Sequence, residues 1–340
     1  MKKLFIFERL PDKVDSKLLS LLLGDKEEIG ELFQKLKTEN FKGIVEFVDD
    51  VKNAEAIILP HTYFQVHHNR EYIKKASDLA GENNIPLILF TTSDFHEKIS
   101  VPNSVFLRTA AYRSDLDETE VVMPAFVEDL GELNGFEPRE KGSDLPTIGF
   151  SGMVQLSTRS LEIKYQIKVF LHKIKLLFGL ADSARFQGLY YRRKIVKVIQ
   201  SAKTCRPNFY IRSFFSASKA TIEGDKDQIR NEFISSIKDS DLALVVRGNG
   251  NFSLRFFEVL SLGRIPLFID TDTPLPLENE IDYDSFMLRV EHKDIHKIPE
   301  IVEKFWQETT PEQFIEMQKK AREVFETKLR SDAFFRIYFS

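Results

Sequence analysis

The sequence has a single cysteine, no long apolar run and little net charge, and each shortage removes a class of protein. One cysteine, Cys205, excludes an internal disulfide and suits a reducing compartment. No His or Asn pattern accompanies it, so it reads as a structural residue rather than a nucleophile. There is no stretch of the 18 or so apolar residues that a membrane helix needs. The apolar run at residues 3–7 stops at Glu8 and Arg9, too short for a signal-peptide core, and reads as a first buried strand. A net charge of −4 supplies no basic field for nucleic acid. The expectation is a cytoplasmic protein without a nucleic-acid partner.

What is present is bulk. The 340 residues are 42% hydrophobic, with 30 phenylalanines, and exceed what one core usually organises. Short apolar runs at 44–48, 56–59, 85–90, 105–107 and 121–123 alternate with helical patterns near 15–23, 27–38 and 70–83. Such alternation predicts a parallel, doubly wound sheet. Apolar periodicity lapses from Glu128 to Pro146, where Gly, Pro and charge dominate. Alternation then resumes, with strands at 147–150, 209–212, 242–246 and 265–269 and helices near 160–179, 185–202, 227–238, 254–262 and 311–329. The organisation predicted is an N-terminal domain over 1–130, a linker over 131–146 and a second α/β domain over 147–310. A terminal helix over 311–340 would pack back toward the first domain.

The most informative stretch is DLALVVRGNGNFSLRFFEVLSLGRIPLFIDTDTPLPLE, residues 241–278. A buried-type strand runs into a loop where Gly248 and Gly250 let backbone approach a ligand. Ser253 is placed to cap the helix that follows, and Gly263 to end it. A glycine loop feeding a helix N-terminus favours an anion, because orphan amides and the helix dipole both point there. Arg255 in the first turn suits a diphosphate, and Glu258, three residues on, suits ribose hydroxyls. These features alone are also those of an ordinary βαβ turn with a surface Arg–Glu pair.

The order Arg247-Gly248, Ser253-Leu254-Arg255, Glu258, Gly263, Ile265-Pro266, Leu275-Pro276-Leu277 and Asp282–Phe286 resembles the exostosin-type glycosyltransferase signature. The resemblance is clear over residues 228–330 and fainter at Ile148–Gly152, with Arg159 at the place of a following Arg, and at Pro86–His96. Three points depart from the family pattern: Val246 stands for a Pro, Arg264 for a Cys, and a Gly-Arg-Asp-His segment is not recognisable. The resemblance implies the fold of two facing Rossmann-like domains known as GT-B. It also implies a nucleotide-sugar donor, a UDP-sugar above others, held by the C-terminal domain, and a glycan or lipid-linked glycan acceptor on the N-terminal one. Inversion at the anomeric carbon without a divalent metal is implied too. Arg247, Arg255 and Arg159 would then neutralise the leaving diphosphate. Asp270-Thr271-Asp272 reads as a strand-end loop rather than a metal motif, and His67-His68 as surface residues.

An inverting transfer needs a proton acceptor from the N-terminal domain. Asp94 and His96, just past the 85–90 run, are the first candidates, with His61 behind them. Residues 163–180 set Ile163, Ile167, Phe170, Leu171, Ile174, Leu177 and Phe178 on one helical face beside several lysines. We read that helix as facing the core, with peripheral membrane contact as the alternative. Two other functions stay open at this point. One is a GDP-sugar-dependent, fucosyltransferase-like enzyme, although its Tyr-x-Thr-Glu-Lys motif is missing. The other is a non-catalytic nucleotide-sugar-binding module.

Overall fold

The computed structural model of the chain describes residues 1–24, 28–29, 36–142, 144–214 and 223–340. Its N-terminal part contains β1 (Lys2–Ile6), α1 (Lys17–Leu23), β2 (Glu28–Ile29), β3 (Leu36–Lys37), β4 (Val45–Phe47), β5 (Ala56–Ile58), α2 (Tyr63–Val66) and α3 (Arg70–Glu82). It continues with β6 (Leu87–Thr91), β7 (Ser104–Arg108), β8 (Glu120–Val122) and α4 (Leu130–Asn134). The C-terminal part runs β9 (Thr147–Met153), α5 (Arg159–Leu177), α6 (Gly188–Ser201), β10 (Arg206–Arg212), α7 (Lys226–Lys238), β11 (Leu242–Val245) and α8 (Leu254–Ser261). It ends with β12 (Ile265–Asp270), β13 (Leu288–Glu291), α9 (Ile298–Glu308), α10 (Pro311–Val324) and α11 (Ser331–Tyr338).

Two wholly parallel sheets result, ordered β4-β1-β5-β6-β7-β8 and β10-β9-β11-β12-β13. Both are doubly wound, as the strand–helix alternation predicts. Strand alternation sorts the cores. Leu242, Leu244 and Val246 face a cluster with α6 and α9, while Ala243 and Val245 face one with α8 and α10. In the N-terminal sheet Ile57, Leu59, Leu87 and Leu89 pack on α3, and Leu4, Ile58, Ile88 and Phe90 pack on α1.

Four sequence expectations need correction. The helix expected over 27–38 falls largely outside the described residues, and its ends, β2 and β3, pair as an antiparallel ribbon. The segment over 131–146 is not a loose connection. Leu130 joins the α8 core, Arg139 pairs with Asp241 at 2.9 Å, and the Trp306 indole donates to the Asp144 carbonyl at 2.7 Å. The helix expected over 311–329 ends at Val324, passes through a π-turn over Phe325–Leu329, and is followed by α11. Within 311–340, α10 stays on the C-terminal core, whereas Phe334, Phe335 and Phe339 enter the core of the N-terminal sheet.

The fourth correction concerns α5. Only Tyr165 is buried on it, with Glu162, Val169, His172 and Ile174 half-buried, and of these Tyr165, Val169 and His172 form the narrow stripe that docks. Apart from half-buried Ile174, the apolar face meant for the core points outward instead, with Phe170 at 63% and Phe178 at 75% exposure. The reason is occupancy: the sheet face that α5 could cover is already filled by Tyr191, Ile195, Val196, Ile298 and Val302 of α6 and α9.

Candidate functional site

In the C-terminal sheet the strand order reverses between β9 and β11. Doubly wound sheets bind ligands at that switch point, outside the carboxyl ends of the strands. A cavity of about 250 Å³ lies there. Phe150–Met153 at the end of β9, Val246–Asn249 after β11, the start of α8, Arg192 of α6 and Phe233 of α7 enclose it, and Asp94 reaches it from the other domain. The range Val246–Asn249 includes Arg247 by position only, because its side chain turns away from the cavity.

Among the described residues, three buried polar atoms on this wall have no hydrogen-bond partner: Ser151 Oγ, Arg192 Nε and Arg255 Nη1. The Arg255 guanidinium lies between two rings, 4.6 Å from the Phe150 centroid and 5.1 Å from that of Phe233. Burial pulls its pKa down to about 9, and the neighbouring Arg192 adds to the shift. Arg192 is pulled down to about 10, again by burial first and then by Arg247. Among the described residues neither cation forms an ion pair. Two half-buried cations without an ion pair, beside a helix start where amides have no intrahelical partners, give this end of the cavity a chemistry that suits an anion.

Glu258 sits one turn into α8 on the same wall, and its carboxyl accepts from Arg230 Nη1 at 3.2 Å. Burial raises its pKa, with Arg230 opposing. Ser253 also lines the cavity. It occupies the cap position but makes no side-chain cap bond, so its hydroxyl is not committed to its own helix. Gly248 donates to the Phe252 carbonyl at 3.0 Å, folding the loop on itself. At Gly250 a Cβ would come within 2.7 Å of Asp94 Cα and 2.9 Å of Asp94 Oδ1. Only glycine permits that approach.

Asp94 is exposed at the cavity, on a loop held from below by buried Arg108, which donates to the carbonyls of Phe95 and Glu97 at 2.8 and 3.1 Å. His96 does not line the cavity; its ring stands edge-on to Tyr112 at 5.0 Å. His61 has both ring nitrogens engaged, with Nδ1 donating to the Val14 carbonyl and Nε2 accepting from the Leu10 amide, so it is structural.

Two expected phosphate ligands lie elsewhere. Arg159 is exposed at the start of α5 and takes no part in the cavity wall. Arg247 is buried and turned to the domain interface, donating to Tyr112 Oη at 2.7 Å and the Asn249 carbonyl at 2.7 Å. Arg192 was not legible as a ligand, but it carried a signal. It sits between Leu189 and Ile195–Val196 on the apolar face of α6, an unusual place for a cation, and its Nη2 donates to the Arg247 carbonyl at 3.0 Å.

The Asp270-Thr271-Asp272 turn is structural. Buried Asp270 receives Arg289 at 2.7 Å and Arg113 at 3.3 Å. Asn251 donates to the carbonyls of Ala111, Thr271 and Asp272 and accepts from Thr271 and Thr273. Arg264, standing where the family has Cys, binds the Leu262 and Glu137 carbonyls and so ties the end of α8 to the interdomain segment. Among the described residues no group of three or more His, Cys, Asp or Glu is arranged to hold a metal ion. Nor is any helix long and apolar enough to cross a membrane.

Fold and cleft together define a protein of two doubly wound α/β domains with a cationic ligand site at the switch point of the second. Comparison with known families then makes the relation specific. Residues 186–305 match the Exostosin GT47 domain family, bearing out the resemblance read from the signature. An Exostosin-1 homolog of Caenorhabditis elegans is 32% identical over 108 residues, which is 32% of this chain and 27% of the relative. The chain thus spans about a quarter of that curated relative's length. Both matches make the C-terminal domain similar to exostosin-type glycosyltransferase domains. Among solved structures, TarM is 10% identical with a TM-score of 0.39, over 83% of this chain and 53% of its own. Anabaena Alr3699/HepE in complex with UDP is 9% identical with a TM-score of 0.40, over 99% and 98%.

Proposed function

We propose that the chain transfers a sugar from a UDP-sugar to a glycan or lipid-linked glycan hydroxyl, with inversion and without a divalent metal. The observation that carries this reading is the convergence on the start of α8 of Arg192 Nε, Arg255 Nη1 and Ser151 Oγ, none of which has a hydrogen-bond partner among the described residues. A nucleoside diphosphate supplies the charge those cations lack. Glu258 accepts from the ribose hydroxyls, and the α8 amides take phosphate oxygens. The acceptor oxygen attacks the anomeric carbon as the carbon–phosphate-oxygen bond breaks. The diphosphate leaves with the electron pair, held by the two guanidinium groups. The acceptor's proton passes to the Asp94 carboxylate, the cavity's one wall residue from the N-terminal domain among those described.

The test is thermal unfolding with UDP in the presence of EDTA. A ligand that binds only the folded state at a hundredfold excess over Kd stabilises it by about 2.7 kcal/mol. A comparable rise in melting temperature with and without EDTA is expected. Stabilisation that appears only with added magnesium or manganese would overturn the metal-free assignment.

A further inference from the structure

The outward face of α5 is a feature that the proposed chemistry does not use. Ile163, Ile167, Phe170, Leu171, Leu177 and Phe178 are all more than half exposed, and Leu180 just beyond is 76% exposed. They recur at helical spacing on the side opposite the docked stripe of Tyr165, Val169 and His172. That stripe is fixed. Arg193 lies 4.8 Å from the Tyr165 ring, the His172 ring stands 4.1 Å from Phe186, and His172 Nε2 meets the Asp182 carbonyl at 3.0 Å. The helix therefore cannot turn its apolar side inward without losing these contacts. A monomer in water leaves so contiguous an apolar strip uncovered only at some cost, which marks it as an interaction surface.

Charge identifies the occupant. Residues 159–180 hold five basic residues, Arg159, Lys164, Lys168, Lys173 and Lys175, against one acid, Glu162, whereas the whole chain carries −4. By helical spacing, Lys164, Lys168 and Lys175 border the strip on one side and Lys173 on the other. Glu162 is already bound by Arg193 at 2.7 Å. An apolar band flanked by lysines on a helix too short and too charged to span is the pattern of a helix lying in an anionic bilayer interface. We infer that α5 docks this protein on anionic lipid, with the band at acyl-chain level and the lysines among the headgroups. Since α5 begins six residues past Met153 on the cavity wall, docking holds the cavity close to the membrane surface.

The inference rests on surface residues outside the cavity, and its readout is independent of nucleotide binding. Co-flotation with phosphatidylcholine vesicles containing about a third phosphatidylglycerol, at low and high salt, is the measurement. Wild type should float with the anionic vesicles, with weak binding to pure phosphatidylcholine and clear loss at high salt. The double variant Phe170→Asp/Phe178→Asp should remain with the soluble fraction. Lys164→Gln/Lys168→Gln/Lys175→Gln should bind on the order of a hundredfold more weakly, about fivefold per lysine. All positions are exposed, so circular dichroism and melting temperature should match wild type. Wild type that stays soluble with anionic vesicles overturns the inference. So does a self-associated wild type that the Phe170→Asp/Phe178→Asp change converts to monomer, since a second copy would then cover the strip.

Discussion

Arg255 concentrates the trade between stability and binding in one side chain. Its cation is buried between Phe150 and Phe233 with one nitrogen unpaired, a cost in the free protein that an anion removes. Arg255→Met keeps the packing and discards the charge. It should raise the stability of the free protein by about 1 kcal/mol or more, or roughly 2–4 °C, while abolishing stabilisation by UDP. A variant that melts lower and still responds to UDP would remove Arg255 from the site. Glu258 yields a pH effect of defined sign. Because burial raises its folded pKa, the folded state holds that proton more tightly than the unfolded chain. Its contribution to stability is therefore present at acid pH and lost as pH rises through the folded value. The carboxylate accepts from ribose more strongly than the protonated acid does, so UDP affinity should rise with pH across that window in wild type. Glu258→Gln should flatten the rise, and titration calorimetry between pH 5 and 8 compares the two. Arg192, by contrast, escaped the sequence because no motif surrounds it; its site is assembled from β9, α6, α7 and α8, far apart in the chain.

At the scale of elements, the loop from Arg247 to Ser253 and helix α8 were legible because their spacing is dictated locally. Glycines fall where backbone must approach, and Gly263 adopts φ +58° at the helix end. The direction of Arg247 was not legible, since its partner Tyr112 lies in the other domain. Nor was the orientation of α5, because the same 3.6-residue period describes a face turned to a core and a face turned to lipid. The loop's second glycine ties local geometry to chemistry. In Gly250→Ala the new methyl group would displace the Asp94 backbone, which a Cβ there would approach to 2.7 Å. Asp94→Asn leaves the geometry and removes the proton acceptor. Turnover should fall about 10²–10⁴-fold in Asp94→Asn with UDP affinity near wild type. Gly250→Ala should act in the same direction and be non-additive with it. A stable Asn variant with a tenth or more of the wild-type rate would exclude Asp94 as the base.

Across the whole molecule, the two sheets meet around residues 111–115. Arg113 reaches Glu278 at 3.1 Å and Asp270 at 3.3 Å and donates to the Thr273 carbonyl at 2.7 Å, while Arg185 binds Asp115. Arg113→Ala leaves Asp270 its bond to Arg289, so folding should survive a loss of about 1 kcal/mol for a half-exposed pair. Turnover should drop while UDP affinity, set within the C-terminal domain, holds. Small-angle scattering should show a larger radius of gyration, and unchanged scattering with unchanged turnover would deny this contact a role in domain setting. The passage of α11 onto the first sheet has a different consequence. Phe335 packs against Phe41 and Phe126, the latter about 210 positions earlier in the chain. During synthesis the ribosome releases the first sheet long before the residues that complete its core. The second domain must therefore fold while the first waits with an open hydrophobic face, which makes the nascent first domain the natural client of a chaperone.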